Sequence, residues 1–222
     1  MKLSPLRSLA LMLAAHSAGP GLAAATAAAA ATTATATATA AAATTATTDA
    51  GAHATADDLD RLMALLSRRQ HGEADFKEKK YLSVLKQPLE SSGVLVFDAP
   101  EHLEQRTMLP RPQSVVLDHG VLTMQLGRRK RTLRLADYPQ LAPWIDCIRA
   151  TLAGDRAALE REFALGFSGS LDHWQLRLEP RDAALSSTLK RIDIQGDGGA
   201  VRTVQVQQSD GDRSVMSITP RE

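Results

Sequence analysis

His71, His102, His119 and His173 are the side chains of the chain's body best suited to move a proton or hold a metal at neutral pH. None stands four residues from another and no His-Glu-x-x-His run occurs, so no helix face offers paired imidazoles. Leu-Asp-His occurs at 117–119 and again at 171–173, each time beside an expected strand end, where turn chemistry accounts for it. Ser168-Gly169-Ser170 lacks the flanks of a nucleophile elbow. Gly196-Asp197-Gly198-Gly199 is followed by no helix pattern, so it cannot set a phosphate on a helix N-terminus. Cys147, the single cysteine, excludes an internal disulfide and a thiolate-rich metal site. Its place between Ile145 and Ile148 suits a buried, inert thiol. Neither catalysis nor a cofactor or metal is expected from this inventory.

One charged cluster remains. Arg128, Arg129, Lys130 and Arg131 form a cationic run at an expected hairpin tip. Such a run is either a solvated turn or a patch that docks on anionic headgroups or an acidic partner.

The elements that would position these residues follow from apolar spacing. Thr55-Ala56-Asp57-Asp58 has the form of a capping box, and Leu59, Leu62, Met63 and Leu66 follow it at helical spacing, with Gly72 as the stop. From Ala74 the period becomes two, through Phe76 and on through residues 81–85. Residues 91–98, 115–117, 121–126 and 131–135 read as further strands, with Asp118-His119-Gly120 as a hairpin turn. Leu141, Trp144, Ile145, Ile148 and Leu152 share one helix face, with Asp137 as the start and Gly154 as the stop. Asp155 can cap a second short helix carrying Leu159 and Phe163. Strand alternation then resumes at Trp174, Leu176 and Leu178, at Ile192 and Ile194, at Val204 and Val206, and at Met216 and Ile218. The expected fold is mainly β with some helix: one curved antiparallel sheet of roughly nine to eleven strands, interrupted by helices.

The chain has 222 residues, of which 44% are hydrophobic. Much of that is alanine, because residues 23–48 contain only Ala and Thr. Lys2 and Arg7 precede an apolar stretch at residues 9–15, far shorter than the ~20 residues of a membrane span. Ala-x-Ala sites follow from Ala23, so residues 1–25 read as a cleaved signal peptide. Residues 26–55 read as a low-complexity tether, with too little side chain to bury against its ordering entropy. Residues 56–222 form the folded domain. Lys and Arg total 26 against 25 Asp and Glu; without Lys2, Arg7 and Asp49 the body carries 24 of each, and a body without net charge is a poor nucleic-acid binder.

Three stretches in order carry a resemblance. Ser92-Gly93-Val94-Leu95-Val96-Phe97-Asp98-Ala99-Pro100, with Leu103 after it, resembles the Gly-x-Leu strand and following Pro of the LolA-like outer-membrane lipoprotein carriers. Residues 114–122 resemble that family's next hairpin, and residues 174–218 its C-terminal strand series. The resemblance implies an incomplete β-barrel with an α-helical lid around an apolar cavity, working as a monomer. It implies a periplasmic carrier that shields the acyl chain of a lipoprotein or other lipidated molecule, such as a glycolipid or an aryl-polyene lipid. The implied partners are an inner-membrane donor and an outer-membrane acceptor.

On that implied fold, Leu95, Phe97, Leu103, Met124, Trp144, Ile145 and Ile148 are the candidate cavity wall, or else ordinary core. The family's lid arginine stands just before the Pro, where this chain has Ala99; Arg106 is the candidate substitute. The rival reading is a periplasmic lipid-sensing or regulatory module with the same fold. N-terminal sequencing of the exported protein should find a start between Ala23 and Thr33; an intact Met1 in the cytosol would overturn the export reading.

Overall fold

The computed structural model describes residues 56–138 and 142–221. Residues 1–25 and 26–55, read from the sequence as signal peptide and tether, lie outside the described residues, as does Leu141. Helix α1 (Ala56–Ser67) buries Leu59, Leu62, Met63 and Leu66, the face its spacing foretold. Asp57 and Asp58 lie in its first turn, where backbone N–H groups favour negative charge.

Six strands follow as a meander: β1 (His71–Tyr81), β2 (Leu89–Asp98), β3 (His102–Leu109), β4 (Gln113–Asp118), β5 (Val121–Leu126) and β6 (Arg129–Arg134). A 3-10 turn (Leu135–Asp137) leads toward α2 (Ala142–Ala153) and α3 (Arg156–Glu162). Then come β7 (Phe163–Ser170), β8 (His173–Pro180), the short α4 (Ala183–Ser186), β9 (Leu189–Asp197), β10 (Ala200–Gln208) and β11 (Arg213–Pro220). All eleven strands make one antiparallel sheet in the order β6-β5-β4-β3-β2-β1-β11-β10-β9-β8-β7. The β1–β11 pairing joins the two meanders, while β6 and β7 remain as edges, so the sheet curves without closing.

Register decides which side chains share a face. Ala74, Phe76 and Glu78 of β1 stand opposite Leu95, Gly93 and Ser91 of β2, and opposite Pro220, Ile218 and Met216 of β11. This inner face carries the apolar residues, and the helices pack over it in two places. Under α1, α2 and α3 lies the larger core, built on Leu62, Leu159, Phe163, Leu176, Leu178 and Leu189, each no more than 1% exposed. A smaller cluster joins Leu117 and Leu122 of the β4–β5 hairpin to Ile145 of α2. Helix α2 therefore bridges the two halves.

Gly154 ends α2 with a φ of +65°, and a Cβ there would meet the Met63 carbonyl oxygen at 2.1 Å. Only glycine lets the end of α2 lie so close to α1. Asp155 then caps α3, its carboxylate accepting from the Ala158 N–H at 2.9 Å.

Several boundaries differ from the sequence reading. Gly72 lies within β1, because α1 already ends at Ser67. Residues 82–88 connect β1 to β2 rather than extending a strand, leaving Val84 and Leu85 exposed. Phe163 opens β7 rather than riding on a helix, and Asp137 belongs to the 3-10 turn rather than starting the lid helix. Strands β3 and β7 were not expected.

Gly154→Ala should cost about 2 kcal/mol or more in urea unfolding, since it adds both a strained φ and an overpacked contact. Gly127→Ala is the control, with φ +57° but nothing within 4 Å of the new Cβ, and should cost about 1 kcal/mol. Equal losses would show that the α1–α2 approach contributes nothing.

Candidate functional site

Between the bridging helix and the inner face of the sheet the two cores do not meet. A cavity of about 320 Å³ remains there, at the low end of the range for small-molecule sites. Its floor comes from both halves of the sheet: Leu95 and Phe97 of β2, Leu103 of β3 and Met124 of β5 on one side, Ile192, Ile194, Val204 and Met216 on the other. Its roof is α2, through Trp144, Ile145, Ile148 and Leu152. The roof face recurs at helical spacing, and the floor residues recur at every second position of their strands.

All seven residues singled out from the sequence lie along this cavity. Ile145 is also core, packed with Leu117 and Leu122, and Trp144 packs against the larger core. Of the methionines, Met124 and Met216 reach the wall, whereas Met63 is buried in the core. Cys147 borders the cavity, and burial pushes its thiol up to about 12. An un-ionised thiol at neutral pH is a poor nucleophile, so it acts there as a small apolar group.

The cavity has a polar stretch of wall that the sequence reading missed. Glu78, Lys80 and Ser91 are buried, and Glu78 and Ser214 border the cavity. Ser91 Oγ donates to Glu78 Oε2 at 3.3 Å, and the Ser214 hydroxyl also bonds the carboxyl. Burial raises the Glu78 carboxyl above its ordinary range, opposed by the Lys80 charge and the two serines. Burial likewise lowers Lys80, opposed by the negative charges of Glu78 and Asp212. The available signal was the alternation itself: a period of two from Phe76 sets residues 78 and 80 on the same inner face.

Arg106 does not reach the lid. It is exposed on β3, where Nε and Nη2 each donate to the Glu104 carboxylate at 2.7 Å, a local pair that satisfies the guanidinium two residues away. The lid helix meets the β2–β3 turn through another arginine: Arg149 Nη2 lies 3.1 Å from Glu101 Oε1. Ala99 sits in that same turn, its N–H donated to the Gln70 carbonyl at 2.8 Å. In the cationic run only Arg128 is in the β5–β6 turn; Arg129, Lys130 and Arg131 continue into the edge strand β6, and all four are exposed. Among the described residues no group of His, Cys, Asp and Glu is placed to hold a metal. The histidines are instead spread along strand ends, as in His173–Asp197 at 3.0 Å and His119–Asp118 at 2.9 Å.

Removing one partner of the buried pair should expose its cost. Lys80→Met should destabilise the protein by about 3 kcal/mol at neutral pH, because it leaves the Glu78 charge without its main counter-ion. Glu78 prefers its neutral form when folded, so this deficit should shrink as pH falls through its raised pKa. Glu78→Leu with Lys80→Met should cost less than the sum of the single changes. A pH-independent deficit in the urea-unfolding series would contradict the assignment.

The sequence matches the family model of outer membrane lipoprotein carrier protein LolA-like over residues 50–218. No curated protein matches it. Among solved structures it is similar to a LolA superfamily protein from Nitrosomonas europaea, at 9% identity and a TM-score of 0.39, covering 75% of this chain and 93% of that one. It is also similar to a chain of the Pseudomonas aeruginosa MucA/MucB complex, at 14% identity and a TM-score of 0.42, covering 75% of this chain and 57% of that one. A DUF1329 family protein from Desulfovibrio piger gives 11% identity and a TM-score of 0.43, covering 73% and 89%. With an open antiparallel sheet, a helix across its inner face and a family match spanning most of its length, the chain belongs to the LolA-like outer membrane lipoprotein carrier family.

Proposed function

We propose that the protein is a periplasmic carrier that binds one acyl chain of a lipoprotein or other lipidated molecule and passes it toward the outer membrane. The observation that carries this reading is the largely apolar wall beneath α2, drawn from both halves of the sheet. In this reading Leu95, Phe97, Leu103, Met124, Trp144, Ile145 and Ile148 touch the chain, and α2 moves to admit and release it. Binding and release need neither a catalytic group nor a cofactor. The donor is an inner-membrane protein and the acceptor an outer-membrane one.

The energetics set what the wall must supply. A palmitoyl-length chain holds about 15 methylenes, and at ~0.8 kcal/mol each its exposure to water costs roughly 12 kcal/mol. A soluble carrier must offset most of that and still let go. The Arg149–Glu101 pair suits such a lid, since a partly exposed ion pair closes a contact without fixing it strongly.

The protein should bind a fluorescent fatty acid or the dye ANS in its folded state. Trp144→Asp should weaken that binding at least tenfold, or ~1.4 kcal/mol, because a carboxylate on the wall must be desolvated or admit water. Circular dichroism on the same sample separates lost binding from lost folding. Ala99→Arg should change affinity or exchange rate without unfolding, by placing a second cation beside the lid. No probe binding by the folded wild-type protein, with no co-purified lipid, would sink the carrier reading and favour the regulatory module.

A further inference from the structure

The five large apolar side chains most exposed among the described residues are Val84, Leu85, Met108, Leu109 and Leu126. They are not scattered. Val84 and Leu85 stand in the β1–β2 connection, Met108 and Leu109 where β3 turns toward β4, and Leu126 where β5 turns toward β6. In an antiparallel meander alternate connections emerge at the same end, so these three turns share one end of the sheet. With ~4.8 Å between strands, successive turns of this set lie about 10 Å apart.

The charge on these three turns has one sign. Lys86 accompanies the first turn, Arg111 the second, and Arg128, Arg129, Lys130 and Arg131 the third, all of them exposed. No Asp or Glu occurs in residues 82–89, 108–113 or 125–131. The chain as a whole carries a formal charge of only +1, so the concentration of cations is local. It is also bounded: the β10–β11 turn at the same end carries Asp210 and Asp212, and Asp212 accepts from the Ser83 N–H at 2.7 Å. Among the described residues, the opposite end, with the β2–β3 and β4–β5 turns, exposes no large apolar side chain.

We propose that this end of the sheet is a membrane-docking surface, which sets Val84, Leu85, Met108, Leu109 and Leu126 into the interface of a bilayer while the six cations meet anionic phospholipid headgroups. Apolar tips on separate turns, each flanked by cations, match the layering of a bilayer surface, with headgroup charge outside and acyl carbon just beneath. A protein partner would be better served by a groove or a contiguous face. A carrier that loads at one membrane gains from a surface that holds it there while the cavity is filled. None of the three turns contributes a residue to the cavity wall, so docking and cargo binding are separable.

Sedimentation of the protein with vesicles tests this. Vesicles of phosphatidylcholine mixed with phosphatidylglycerol should bind it at least tenfold more tightly than phosphatidylcholine alone, and added salt should reverse the binding. Arg128→Glu with Arg129→Glu should lower affinity for the anionic vesicles at least tenfold, while fatty-acid binding in the cavity is unchanged. Leu109→Trp should report insertion, its fluorescence quenched by phospholipids brominated on their acyl chains. Equal binding to both vesicles, or no effect of the charge reversal, would overturn the proposal. Binding without quenching would reduce the surface to headgroup electrostatics and overturn the insertion. No vesicle binding at all would overturn docking and leave an acidic protein as the partner. Loss of fatty-acid binding in the wild-type protein would instead count against the carrier reading alone.

Discussion

An antiparallel sheet that curls without closing must have its apolar inner face covered by something other than itself. Here the edges β6 and β7 do not pair, and the chain that runs between them supplies the cover as α2 and α3. The cover is divided. Cys147 and Ala150 of α2 join the larger core over β8 and β9, whereas Ile145 joins the β4–β5 cluster. A helix held at both sides of a curved floor cannot fill the middle, and the cavity is what remains. Protein interiors otherwise pack to crystal-like density, so an apolar space of this size is maintained by the architecture rather than by loose packing. Gly154 fixes the geometry from the other side, since any side chain there would push α2 away from α1.

The floor is not uniformly apolar. Glu78 and Lys80 stand on the same face as Phe76, while Lys77 and Lys79 on the alternate positions face solvent. A buried pair of this kind is a weak source of stability, because desolvation consumes most of the attraction. Its constituents are nevertheless well accommodated, with Ser91 and Ser214 bonding the carboxyl. Such groups orient a ligand more effectively than they stabilise a fold. The wall thus combines broad apolar area with one polar locus.

What the sequence revealed depended on how plainly each strand alternates. Val94 to Phe97, the β4–β5 hairpin and the series from Trp174 onward carry apolar residues on the inner face and were legible. Strand β3 was not, because its inner positions after Leu103 are Gln105 and Thr107, both buried, so a polar pattern hides an inward face. Strand β7 was obscured by Ala164, Gly166, Ser168 and Gly169, which fit turns and helix ends as readily as strands. Val84 and Leu85 misled in the opposite sense: their apolarity suggested a strand, and they are exposed on a turn. The cavity residues were reached through family resemblance, which supplies the relation of helix to sheet that spacing alone does not. Glu78 escaped because charged residues on a strand are ordinarily read as its solvent side.

The central claim is that the space beneath α2 receives an acyl chain. Nuclear magnetic resonance of methionine methyl groups during a titration with a fatty acid addresses it directly, because the four described methionines sample distinct environments. Met124 and Met216 border the cavity, Met63 is in the core, and Met108 is exposed on the outer turn. The account predicts that the Met124 and Met216 resonances shift together and saturate, with Met63 and Met108 nearly unmoved. Saturable shifts at Met108 alone, or none at Met124 and Met216, would contradict it.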